Sequence, residues 1–168
     1  MDSTKTKVCV WIPAALLMLA TTLKTQTPQD EEAHAFGNAY VTQVDLRIVH
    51  RAREILSSPE KWNRADTRVC RVQQCKLGCP SNARTFSLYC ALKKATEEVK
   101  GSFDHRGAAM QGARVVIDEL AVNRKDFQHR LEGYNNDPTT TFADIQNVLH
   151  ALEDRTRREA VASQTKNK

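Results

Sequence analysis

Apolar residues recur at helical spacing in several stretches of this chain, and most stretches end on residues that stop helices. Val41, Val44, Ile48, Ala52 and Ile55 share one face, with Arg47, Arg51 and Arg53 off it. Residues 42–57 therefore read as an amphipathic helix ended by Ser57-Ser58-Pro59. Phe86, Tyr89, Cys90, Leu92 and Val99 oppose Lys93, Lys94, Glu97 and Glu98, which predicts a helix over residues 86–100, capped by Thr85 and stopped by Gly101. A third helix fits residues 107–123, with Met110, Ala113, Val116, Ile117 and Leu120 on its buried side. Phe127 and Leu131 suggest a short continuation ending at Gly133. Phe142, Ile145, Val148, Leu149 and Leu152 line a last helix. Its start, Thr141-Phe142-Ala143-Asp144, is a capping-box pattern in which hydroxyl and carboxylate satisfy each other's backbone amides.

Residues 63–84 carry no apolar period, and Gly78, Pro80, Ser81 and Asn82 are turn formers, so this stretch reads as an irregular Cys-rich loop with no strand. Trp62, just before it, is large enough to pin the loop to the core. Tyr134-Asn135-Asn136-Asp137-Pro138-Thr139-Thr140 is dense in turn-forming side chains. The expected fold is all-α, a four- to five-helix bundle in one domain over residues 42–160, with a disordered tail over 161–168.

The first 30 residues have a different pattern. Lys5 and Lys7 precede an uncharged run from residue 8 to residue 23, a basic region followed by an apolar one. The run is short for a membrane span and suits an export signal. Residues 1–30 are therefore expected to direct secretion or periplasmic delivery; if left uncleaved, residues 8–23 would anchor the chain in a membrane. Residues 31–41 read as a linker.

In an exported domain, the even set Cys70, Cys75, Cys79 and Cys90 reads as disulfides. Four cysteines allow three pairings; the expectation is Cys70 with Cys90 and Cys75 with Cys79. The rival is zinc, but the spacing C-x4-C-x3-C-x10-C matches only half of a doubled knuckle, so no metal is expected.

Trp62 after the first helix, Cys90-Ala91-Leu92 with Ala95 on the second, and the Tyr134 to Thr140 turn leading into the helix of Val148, Leu149 and Ala151 together resemble a family of small bacterial all-helical domains of unknown function. The likeness covers residues 44–153. It implies a helical fold and no activity. Members of that family are cytosolic in character and do not share the Cys-rich loop. If Cys90 is the family's helix cysteine, the resemblance implies a buried thiol there, leaving Cys70, Cys75 and Cys79 an odd set.

Composition adds limits. At 168 residues, 40% hydrophobic and 27% charged, the chain has the makeup of one globular domain. Its net charge of +5 sits largely at the ends, in Lys5, Lys7 and Lys24 and in Arg155, Arg157, Arg158, Lys166 and Lys168, so no specific nucleic-acid partner is expected. Cys90 with a histidine (His50, His105, His129 or His150) and Asp137 supplies the residue types of a nucleophile, base and orienter; His105 is the base singled out. No known cysteine-hydrolase signature surrounds them, and a core or bridged cysteine is the simpler reading of Cys90. Tyr134, Asn135, Asn136 and Asp137 offer convergent polar groups to a ligand, and Asp104-His105-Arg106 an anion site at a helix start, although turn closure explains each set without a ligand. No phosphate loop, zincin motif or nucleophile elbow occurs, and no cofactor is implied. The expected function is that of an exported, non-enzymatic binding or interaction domain for a protein or small polar ligand. The alternatives are a Cys-dependent hydrolase or transferase and a basic nucleic-acid binder.

Overall fold

The computed structural model describes residues 40–66, 68–71, 74–124, 127 and 129–165, with 68–71 and 74–77 described by backbone alone. The expected export segment, the linker up to residue 39 and residues 166–168 lie outside the described residues. The helices are α1 (Gln43–Ile55), α2 (Leu88–Lys100), α3 (Ala108–Leu120), α4 (Arg130–Asn136) and α5 (Phe142–Thr165). The expectation of an all-α, four- to five-helix bundle holds, with five α-helices among the described residues and one addition. Strands β1 (Arg68–Arg71) and β2 (Gln74–Leu77) pair antiparallel inside the segment read as irregular. Four residues are too few to register as a period, whereas the ladder needs only short extended runs on either side of residues 72–73.

Two Thr-x-x-Asp boxes start helices. Before α1, Thr42 Oγ1 accepts from the Val44 amide (3.2 Å) while Asp45 accepts from the Thr42 amide (2.9 Å). Before α5, as the sequence predicts, Thr141 Oγ1 accepts from the Asp144 amide (3.2 Å) and Asp144 accepts from the Thr141 amide (2.8 Å). Helix α2 begins two residues later than expected, and its cap is Ser87, which accepts from the Cys90 amide, not Thr85. Phe86 is held instead in a short parallel bridge with Trp62. Gly101 ends α2 with φ 78°, a left-handed position that favours glycine.

Helix α1 packs against α2 and α5, and α3 packs against α5. Ile48, Leu56, Leu92, Ile117, Leu149 and Leu152 are fully buried where they meet. On α2 the core face is Leu88, Ala91, Leu92 and Ala95, while Phe86, Tyr89 and Val99 pack at its rim. Leu120, expected inside, is half exposed at the end of α3.

Two expectations near the C-terminus change. Gly133 does not stop a helix: α4 runs through it to Asn136. A Cβ at Gly133 would lie 3.0 Å from two side-chain carbons of Phe127, so glycine is needed there for close approach. The residues read as a tail from 161 onward continue α5 to Thr165. At 24 residues α5 spans about 36 Å, well beyond the 13-residue α1 it packs on.

Along the α1–α5 seam, Gln146 Nε2 donates to the Leu56 carbonyl (2.8 Å), Arg53 lies 3.1 Å from His150 Nε2, and His50 lies 3.1 Å from Glu153. Glu153 is nearly buried and also accepts from Arg53 and Arg157. Burial pushes its carboxyl up, but the Arg53 hydrogen bond and the charges of Arg53, His50 and Arg157 bring it below its ordinary value of 4.5. A folded value below the unfolded one means that its stabilisation is complete above the unfolded pKa and is lost as pH falls through the folded one. Glu153→Gln is expected to cost about 2 kcal/mol at neutral pH. Urea unfolding should show that the gap from wild type narrows between about pH 7 and about pH 3; an equal gap at both would contradict this assignment.

Candidate functional site

The polar residues singled out in the sequence converge, but on one another. Asn135, on the inner face of α4, has no solvent exposure. Its Oδ1 accepts from the Trp62 indole (2.8 Å) and the Leu88 amide (3.0 Å). Its Nδ2 donates to the carbonyls of Asn63 (3.0 Å) and Arg64 (3.2 Å) and to Asn136 Oδ1 (3.0 Å). Both halves of the amide are fully engaged. Leu88 opens α2, so Asn135 reaches across the fold to satisfy one of that helix's unpaired first-turn amides.

Asn136 extends the arrangement: its Oδ1 accepts from the Asp66 amide and its Nδ2 donates to the Asp66 carbonyl, both at 2.8 Å. The buried Asp66 carboxyl accepts from Ser87 Oγ, the cap of α2. The Phe86 amide donates to Lys61 (2.8 Å) and the Asn63 amide to Phe86 (2.9 Å), completing a clasp between the loop, the start of α2 and the end of α4.

Tyr134 and Asp137 lie beside this clasp. Tyr134 is buried edge-on to Phe127, with the Arg124 guanidinium 5.2 Å from its ring. Burial raises its phenol above the usual range. Asp137 caps the end of α4 and accepts from the Thr139 amide (2.8 Å) and hydroxyl (2.6 Å), a turn-closing role.

The structure also corrects the expected cysteine pairing. Cys90 is bonded to Cys79, with Cα atoms 5.4 Å apart, not to Cys70, and Cys79 is therefore not available to Cys75. The side chains of Cys70 and Cys75 lie outside the described residues. In this oxidised form Cys90 has no thiol and cannot act as a nucleophile.

His105 packs against Tyr89 and Phe103, with ring centroids 6.2 and 6.1 Å away, and lies 3.1 Å from Arg114. Burial, then the charges of Arg114 and Arg106, lowers its pKa. Cys90, His105 and Asp137 thus sit in three separate settings: a disulfide, an aromatic cluster and a helix end. His50 and His150 belong to the α1–α5 seam, and His129 precedes α4.

Asp104, Arg106 and Gly107, but not His105, line a cleft of about 250 Å³ together with Thr42, Asp45 and Lys100. Both charge signs line it, and Asp104 accepts from the Arg106 amide. Among the described residues, no group of three His, Cys, Asp or Glu is placed to hold a metal ion, and no helix is long and apolar enough to cross a membrane.

A charge feature escapes an inspection aimed at motifs. From residue 67 to residue 96 the chain contains no Asp or Glu, yet it carries Arg68, Arg71, Lys76, Arg84, Lys93 and Lys94. Lys93 and Lys94 pair with Glu97 and Glu98 at 2.5 and 2.7 Å. The remaining four lie between the Asp66 clasp and α2, three of them on the hairpin. A running charge count by segment finds this run, whereas the net charge of the whole chain conceals it.

Fold and site define a small helical bundle with a disulfide-stapled loop whose Trp and Asn-Asn signature holds that loop in place. The chain belongs to a family of unknown function, DUF6197, whose model matches residues 41–155, close to the span over which the sequence resembles such a family. No curated protein and no solved structure matches it.

Replacing Asn135 with Ala would leave the Leu88 amide and the Trp62 indole without their acceptor. The expected loss is about 3 kcal/mol of unfolding free energy in urea titration. A loss under about 0.5 kcal/mol, the range of ordinary surface changes, would remove Asn135 from its structural role.

Proposed function

We propose that this chain is an exported, non-enzymatic interaction domain, that its contact surface is the stapled segment between residues 64 and 84, and that its partner presents an acidic protein surface. The observation that carries this reading is the acid-free run after Asp66, which places Arg68, Arg71 and Lys76 on the hairpin and Arg84 just beyond it. The segment leaves the bundle at the Asp66 clasp and returns at Cys79, so both ends are tied to the core. Tethered ends reduce the ordering entropy that association must overcome. Clustered charge of one sign steers a partner of the opposite sign and fixes its orientation.

Support for export comes from the basic and then apolar N-terminal pattern, and a disulfide suits an oxidising compartment. Support for a non-enzymatic role comes from the engagement of the candidate residues: Cys90 in a disulfide, Asn135 in the clasp and Asp137 in a turn. A Cys90-dependent reaction would need a reductant to free the thiol first.

The test uses an immobilised polyglutamate column as the acidic probe. The triple variant Arg68→Glu, Arg71→Glu, Lys76→Glu should elute at markedly lower salt than a control with the same charge change at Arg47, Arg106 and Arg158. Equal elution of the two would show that net charge alone governs retention, and the hairpin assignment would fail.

A further inference from the structure

The register of the hairpin carries a consequence for its two cysteines. The Cα partners are Arg68 with Leu77, Val69 with Lys76, Cys70 with Cys75, and Arg71 with Gln74. Cys70 and Cys75 therefore stand directly opposite one another across the ladder. Directly opposed residues of an antiparallel pair have Cα atoms roughly 4.5 or 5.5 Å apart, depending on whether the pair is hydrogen-bonded, and their Cβ atoms leave the same face. Both separations fall within the roughly 4.4 to 6.8 Å that a disulfide spans. No backbone rearrangement is required to join them.

The remaining cysteines narrow the choice. Cys79 and Cys90 are already joined, so neither can take Cys70 or Cys75 without breaking that bond. Cys9 lies far ahead of them in sequence, inside the apolar run at residues 8–23. We infer that Cys70 and Cys75 form a second, cross-strand disulfide that closes the hairpin independently of the Cys79–Cys90 staple.

The bond forms by thiol–disulfide exchange with an external disulfide, either a small molecule or a disulfide-bearing oxidant protein. The thiolate of one cysteine attacks that disulfide, forming a mixed disulfide and releasing one thiol. The second thiolate then attacks the mixed disulfide at its protein sulfur and releases the other thiol. Two cysteine thiols are oxidised, one donor disulfide is reduced to two thiols, and the two protons end on the released thiols.

The two bridges differ in what they hold. Cys79–Cys90 ties the end of the loop to the first turn of α2, where Cys90 is buried. Cys70–Cys75 ties the hairpin only to itself, and the strands pack chiefly on each other, so opening it leaves the helical core intact. The hairpin can therefore pass between clamped and open states without unfolding of the bundle.

Trypsin provides a direct test, because Arg68, Arg71, Lys76, Arg84 and Lys93 separate these four cysteines into four peptides, and Cys9 falls in a fifth between Lys7 and Lys24. The full chain is equilibrated with excess glutathione disulfide, free thiols are alkylated, and the digest is mapped by mass without reduction. The expected products are residues 69–71 linked to 72–76, and residues 77–84 linked to 85–93. Alkylated or glutathione-capped Cys70 and Cys75, or either of them linked to Cys9, Cys79 or Cys90, would overturn the inference. As a second readout, Cys70→Ser with Cys75→Ser should leave the Cys79–Cys90 link and the helical circular dichroism unchanged, whereas loss of either would show that the hairpin bridge is not separate from the core.

Discussion

A single buried side-chain amide governs the arrangement of this domain. Asn135 lies on one of the shortest helices, yet it joins the Trp62 loop, the first turn of α2 and the end of α4 through all its donors and acceptors. A buried amide is stable only when fully paired, so each of these segments constrains the other two. Asn136 passes the constraint on to Asp66, and Asp66 to Ser87 at the cap of α2. Among the described residues beyond Leu56, the connection between α1 and α2 packs Trp62 and Phe86 against the apolar core, and this polar clasp gives it a defined path.

The clasp and the disulfide act on the same connection from opposite ends. Trp62 packs against Phe142 at the start of α5, with ring centroids 6.2 Å apart, and presents its indole to Asn135. Cys79 returns the chain to α2. Beyond Asp66 the chain carries no acidic residue as far as Thr96, and it folds into a hairpin before Cys79. At the other side of the bundle, Glu153 holds α1 to α5 through Arg53 and His50. The nearly buried carboxylate is favourable there because Arg53 and Arg157 donate to it; alone it would be costly.

The helices were legible because their apolar positions repeat and their caps are local. Val41, Ile48, Ala52 and Ile55, and Ile145, Val148, Leu149 and Leu152, are buried as periodicity selects, with Val44 partly so, and the Thr141 box lies where its pattern places it. The features that were not legible depend on distant partners. Asn135 and Asn136 favour turns in isolation, but Leu131, Tyr134 and Asn135 fall at i, i+3 and i+4, and their tertiary contacts carry a helix through Gly133. Ser87 prevails over Thr85 as cap because Phe86 is bridged to Trp62, a contact 24 positions away in sequence. Cysteine pairing follows strand register and loop path, which spacing alone does not encode. Of the candidate site, the residue types were visible, but their use as internal fasteners was not, since exposure and pairing are properties of the fold.

The Trp62 indole reports directly whether Asn135 holds its partners closed in solution. Hydrogen exchange at Trp62 Nε1, followed by NMR and assigned by comparison with a Trp11→Phe variant, measures how often the clasp opens. Protection close to that of the core amides of α5 is predicted, since opening the indole requires breaking the Asn135 network. Exchange at the rate of a solvent-exposed indole would contradict a closed clasp, because the loop would then be held by something other than this amide.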